Sequence, residues 1–196
     1  MPETAPRVTV CGLGELAAIE AADVTHVVSI LDPGWPEPET LRGFAVHRRL
    51  RLNFHDVIDA LPGCTAPERW DVDLLLAFAR DIAGVAGAPA GAHLLVHCHA
   101  GLSRSTAAAI LILAQQFPDR PADEAVAEIA RLRPRAWPNL RMLELGEAAL
   151  GRRGELVSAA RLQYRRMLAR EPELAEAMIG GQRGREIALA VGPDRP

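Results

Sequence analysis

Cys98 and Arg104 stand six positions apart in HLLVHCHAGLSRSTAAAILIL, residues 93–113. An apolar run ends in the cysteine. A glycine-bearing loop follows, then an arginine, a serine and an Ala/Ile/Leu-rich segment. This spacing lets a thiol and a guanidinium bracket one loop at the start of a helix, whose free backbone N–H groups and dipole attract negative charge. The same field favours a sulfur nucleophile in its thiolate form. A thiolate inside an anion cup suits attack on an oxyanion with a central electrophilic atom, and a phosphate monoester is the obvious candidate. With three cysteines and 22 arginines in the chain, Cys-x5-Arg alone is a weak pattern. The apolar run before it, Gly101 within it and the helical run after it give it weight.

The elements that must position these residues alternate in type. Residues 7–11 and 25–31 have the composition of buried strands, and Leu50, Leu52 and Phe54 alternate with polar residues as in a half-buried strand. HLLVH is a further strand and leads directly into Cys98. Glu15 to Ala22 is expected to be helical. Thr65 and Glu68 have capping-box spacing, with Pro67 in the first turn, and Trp70, Leu74, Phe78 and Ile82 predict a helix running to about Ala83. Ser103 to Phe117 is the helix that the loop opens. Segments 121–133, 138–150 and 154–178 all show helical spacing, divided by Pro134, Pro138, Gly151 and Gly154. The expected fold class is α/β: a central, mostly parallel sheet flanked by helices, with an all-helical C-terminal part. Residues 1–179 form one domain in this reading, and the Gly-, Arg- and Pro-rich residues 180–196 form a flexible tail. In such sheets ligands sit at the carboxyl ends of strands, where Cys98 falls.

Composition narrows the chemistry. The chain has 196 residues, 49% hydrophobic, enough for one sizeable core. All 22 basic residues are arginine, which suits a GC-rich bacterial genome; without lysine, Walker-type phosphate loops and lysine Schiff bases are excluded. A net charge of −3 supplies no case for nucleic-acid binding. No apolar run is long enough to span a bilayer, and the N-terminus lacks the pattern of a secretory signal. Cys11, Cys64 and Cys98 are too scattered for a disulfide framework or a zinc site, so a cytoplasmic setting is expected, with neither metal nor other cofactor. Disulfide protection of Cys98 by Cys11 or Cys64 is a minor possibility.

HCHAGLSRS resembles the His-Cys-x-x-Gly-x-x-Arg-Ser/Thr loop of the cysteine-dependent protein tyrosine phosphatase superfamily, particularly its dual-specificity branch as found in small bacterial members. The likeness in layout covers residues 7 to about 150 and stops near residue 155. It implies that Cys98 is the nucleophile. Arg104 and the loop His99, Ala100, Gly101, Leu102, Ser103 and Arg104 would grip phosphate oxygens. His97 would orient the loop through backbone hydrogen bonds, and Ser105 would stabilise the thiolate when it leaves. The leaving oxygen needs a proton, and in the family an aspartate on a loop before the cysteine's strand supplies it. The matching stretch, LRLNFHDVIDALPG, offers Asp56 first and Asp59 as runner-up. Asp71 and Asp73 fall on the next helix as solvated groups. Asn139 is either a helix N-cap or a residue beside the phosphate, and Arg48, Arg49 and Arg51 form a solvated basic cluster.

The expected activity is a metal-independent phosphomonoesterase, a protein tyrosine or dual-specificity phosphatase working through a cysteinyl-phosphate. Its substrate would be a phosphorylated protein or a small phosphomonoester, with no nucleic acid or membrane as partner. Two alternatives stay open: a phosphate-binding pseudophosphatase module, and a cysteine enzyme of the sulfurtransferase or arsenate reductase kind.

Overall fold

Four parallel strands form the sheet, in the order β1-β4-β2-β3: β1 is Arg7–Gly12, β2 His26–Leu31, β3 Arg48–Asn53 and β4 His93–Cys98. The computed structural model describes residues 6–44, 48–83 and 92–192. Every residue of β2 and β4 is buried, because each has a strand on both sides and covered faces above and below. β3 is an edge strand, and the alternation that predicted it is visible: Leu52 and, just past the strand, Phe54 are buried, while the arginines emerge. The basic cluster on it is not simply solvated. Arg48 pairs with Asp81 at 3.1 Å, Arg49 with Glu37, and Arg51 donates to the Trp35 carbonyl.

The two sheet faces are covered differently. Val10, Val28, Leu94, Val96 and Cys98 face a layer of helices: α1 (Arg69–Ala83), α2 (Arg104–Gln116), α3 (Ala122–Leu132), α4 (Leu140–Leu150) and α5 (Glu155–Arg170). Cys11, Val27 and Leu95 face the other way, onto a thin cover with Leu16, Val24 and Leu41. That cover consists of the short 3-10 segments Leu13–Ala18, Ala21–Asp23 and Glu39–Gly43. The segment expected to be helical at 15–22 falls on the first two of these, both 3-10. α2 is the central helix: Arg104 through Ala114 are all buried. Among the described residues no helix is long and apolar enough to cross a membrane.

Three expectations are corrected. α1 starts at Arg69 without the Thr65 capping box; Asp71 instead accepts from the Glu68 N–H at 2.8 Å. Thr65 is used elsewhere. Its N–H donates to His55 Nδ1 at 2.9 Å and its carbonyl accepts from the His55 N–H at 2.8 Å, which closes the loop carrying Asp56. The long helix expected over 154–178 breaks at Pro172 into α5 and α6 (Leu174–Gly180). The tail expected from residue 180 is folded as far as residue 192. α7 (Gly184–Val191) buries Glu186, Ile187 and Ala190 in the main core. Arg161 of α5 holds the end of α7 by donating to the carbonyls of Leu189 at 3.0 Å and Gly192 at 2.5 Å. The rest of the expected tail, 193–196, lies outside the described residues.

Candidate active site

The carbonyls of the loop between β4 and α2 are taken up by donors from the surrounding protein. Leu13 N–H donates to the His99 carbonyl at 2.9 Å. Arg133 Nε donates to the Gly101 carbonyl at 3.2 Å. Trp137 N–H donates to the Leu102 carbonyl at 2.8 Å, and the Ala107 N–H to the Ser103 carbonyl at 3.0 Å. Thr106 Oγ1 lies 2.7 Å and 2.8 Å from these last two carbonyls. Arg133 is itself steadied by Glu15 at 2.8 Å, whose other oxygen accepts the Gly12 N–H at 2.6 Å. Gly101 has φ +72°, and a Cβ there would lie 2.5 Å from Cys11 C and Gly12 N. The end of β1 therefore presses on the loop at a place that only glycine fits.

Cys98 ends β4, 2% exposed, with its sulfur at the mouth of this loop. Ser105 Oγ lies 3.1 Å from Cys98 Sγ, and the Gly101 N–H donates to the same sulfur at 3.3 Å. Both contacts can stabilise negative charge on sulfur. His97 Nε2 lies 2.6 Å from Ser29 Oγ on the adjacent strand β2. Burial, reinforced by the Arg49 charge, lowers its pKa to about 4, so the ring is neutral. His97 thus ties β4 to β2 just before Cys98.

Arg104 is 3% exposed. Its Nη1 donates to Asp32 Oδ1 at 2.7 Å and to the Phe54 carbonyl at 2.6 Å, which anchors the far side of the guanidinium. Its Nε is buried without a hydrogen-bond partner among the described residues. Asp32 follows β2, so two strand ends fix the arginine. The Asp32 N–H also donates to His99 Nε2 at 3.2 Å, which makes that nitrogen an acceptor. The His99 ring is accordingly neutral, with its pKa lowered mainly by burial, and its 3.5 Å approach to Asp32 Oδ1 is no ion pair. Trp35 meets the His99 ring edge-on, centroids 4.5 Å apart.

A cavity of about 190 Å³ opens over the loop, lined by Cys98, Arg104, Asp56, Trp137, Met167 and Met178 among others. Asp56 Oδ1 accepts from Ser103 Oγ at 2.7 Å and Asn139 Nδ2 at 2.9 Å, and lies 3.3 Å from Arg183 Nη1. Asn139 is the N-cap of α4, its Oδ1 accepting the Met142 N–H at 3.0 Å, and it is not among the residues that line the cavity. Asp59 does not line the cavity; it pairs with Arg185 at 2.9 Å. Asp73 pairs with Arg69 at 2.7 Å, away from the site. Strand alternation sets Cys11 on the sheet face opposite Cys98, and burial pushes the Cys11 thiol up to about 12. Among the described residues no three His, Cys, Asp or Glu side chains cluster as a metal site.

Sequence reasoning missed Asp32 and Arg183. Asp32 stands at a strand's carboxyl end, the same signal that pointed to Cys98. Arg183 had no such signal.

No protein-family model matches this sequence, and no curated protein does. Solved structures do match. Human DUSP28 aligns with a TM-score of 0.54 at 22% identity, over 75% of this chain and 95% of its own. Tk-PTP in its active form aligns with a TM-score of 0.51 at 22% identity, over 76% and 95%. The human tyrosine phosphatase-like serine/threonine/tyrosine-interacting protein aligns at 0.50 and 20% identity, over 66% and 78%.

Proposed function

We infer that this chain, which has the fold of the tyrosine and dual-specificity phosphatases, is a phosphomonoesterase that works through a cysteinyl-phosphate and needs no metal. The observation that carries this is Arg104, which lines one cavity with Cys98 and Asp56 and whose buried Nε has no hydrogen-bond partner among the described residues. A buried N–H left unpaired is costly, and a phosphate oxygen would satisfy it. The backbone N–H groups of residues 99–104 would hold the other oxygens.

In the first step Cys98 Sγ attacks phosphorus in line, the S–P bond forms and the ester P–O bond breaks. Asp56 gives its proton to the leaving oxygen. In the second step Asp56 takes a proton from water, the water oxygen bonds to phosphorus, and Cys98 leaves as a thiolate hydrogen-bonded to Ser105. Arg104 follows the equatorial oxygens through both steps, so the protein's work is placement and charge stabilisation. Trp137, Met167 and Met178 offer apolar walls to the organic part of a phosphorylated protein side chain or small ester. A reducing cytoplasm suits a thiol nucleophile. Asp56 in the cavity favours this reading over sulfur transfer or a binding module, neither of which uses a proton donor.

The test is hydrolysis of p-nitrophenyl phosphate in the presence of a chelator. Wild type is expected to turn over, Cys98→Ser to be inactive, and Asp56→Ala to be slower by at least about a hundredfold. An inert wild type, or activity retained in Cys98→Ser, overturns the proposal.

A further inference from the structure

The chain beyond residue 155, where the likeness read from the sequence layout stops, delivers a guanidinium to the site. Gln182, in the left-handed region at φ +59°, turns the backbone between α6 and α7, and Arg183 follows it into the cavity wall. Arg183 is 7% exposed. Its Nε and Nη2 donate to the two oxygens of Glu186 at 2.7 Å and 2.6 Å. Glu186 is fixed in turn by Trp137 Nε1 at 2.6 Å and the Leu140 N–H at 3.1 Å. The third nitrogen, Nη1, donates to Ser103 Oγ at 2.9 Å and lies 3.3 Å from Asp56 Oδ1. Each nitrogen of Arg183 thus has a protein partner.

The contacts on Asp56 are one-sided. Ser103, Asn139 and Arg183 all meet Oδ1, while Oδ2 makes no hydrogen bond among the described residues. An oxygen that accepts from several donors acts as the carbonyl oxygen of a carboxylic acid, which leaves the proton to the other oxygen.

We propose that Arg183 is a positioning residue for the proton donor: with Ser103 and Asn139 it holds Oδ1 of Asp56, so that protonated Oδ2 meets the leaving oxygen. The C-terminal extension is then a working part of the site. This inference rests on the phosphatase reading above. It has a signature that a looser fold would not produce. The more basic phenolate depends on the proton more heavily than nitrophenolate does as the P–O bond breaks. Damage to the donor therefore appears as a loss that grows with leaving-group basicity.

The experiment compares p-nitrophenyl phosphate with phenyl phosphate for wild type, Asp56→Asn, Arg183→Lys, Arg183→Met and the double variant Arg183→Met/Glu186→Gln, which leaves no unpaired buried carboxylate. Circular dichroism identifies the folded variants, and Arg183→Lys keeps a cation beside Glu186 should the others unfold. The folded Arg183 variants are expected to lose about tenfold on the nitrophenyl ester and about a hundredfold on the phenyl ester, with no further loss when combined with Asp56→Asn. Equal losses on the two esters, or losses that multiply with Asp56→Asn, overturn the inference and leave the phosphatase reading standing. A wild type inert on both esters overturns the two together.

Discussion

At the scale of single residues, the site separates groups that act from groups that hold. In the proposed mechanism Ser105 Oγ, 3.1 Å from Cys98 Sγ, acts when sulfur must leave phosphorus and carry the charge away. A hydrogen bond to a charged group contributes about 1.5–3 kcal/mol, so Ser105→Ala should slow breakdown of the cysteinyl-phosphate roughly ten- to hundredfold. Its formation should change less. Rapid mixing with p-nitrophenyl phosphate should then show a burst of nitrophenolate close to one per enzyme, and a variant without a burst would contradict this role. His97 predicts a pH effect on stability. Its folded pKa of about 4 lies below the ordinary 6.5, chiefly because it is buried. Above pH 6.5 neither folded nor unfolded chain protonates it. Between 6.5 and 4 the unfolded chain alone takes the proton, so stability falls with pH across that window, by roughly 3 kcal/mol. His97→Asn lacks this titration. The stability gap between wild type and variant, read from urea melts, should narrow by about that amount from pH 7 to pH 4, and a constant gap would refute it. Cys98, Arg104 and Ser105 were legible as a linear motif because they share one loop. Asp32 was not, since it meets Arg104 only after β2 and β4 pair in parallel.

At the scale of elements, the loop between β4 and α2 is shaped by its neighbours as much as by its own residues. β1 ends against it, and Gly101 has no room for a side chain: its Cβ would sit 2.5 Å from backbone atoms of Cys11 and Gly12, which cannot swing aside. Its φ of +72° adds an intrinsic cost of about 1–2 kcal/mol for any other residue. Gly101→Ala should therefore displace the loop and lower activity by about a hundredfold or more, the scale at which small misplacements act. It should also weaken inorganic phosphate as a competitive inhibitor, and a variant with unchanged phosphate inhibition would show that the clamp is not needed. The strands and most helices were legible from periodicity, because their apolar spacing matches the faces they bury. Thr65 was misread as a cap because its spacing to Glu68 fits a capping box. The folded chain uses its backbone instead to tie His55 and close the Asp56 loop, a tertiary choice that local spacing does not encode.

At the scale of the whole molecule, α7 shows why a composition rich in Gly, Arg and Pro misleads. The stretch carries only a short apolar face, yet Ile187 and Ala190 complete the main core, and a buried Arg183–Glu186 pair joins Trp137, the start of α4 and the loop between β4 and α2. Local propensity could not forecast this, because the order comes from partners some 30 to 80 positions away in sequence. Cutting the chain after residue 180 would remove Ile187 from the core and leave the Trp137 N–H and the Leu140 N–H without their carboxylate acceptor. Loss of the isoleucine's burial and of two buried hydrogen bonds amounts to at least about 3 kcal/mol. For a chain of this size that corresponds to a fall in Tm of roughly 6–12 °C, measurable by calorimetry. A tail of the kind the composition suggests would leave Tm unchanged on truncation, so the melting temperature alone separates a dispensable appendage from a structural wall of the site.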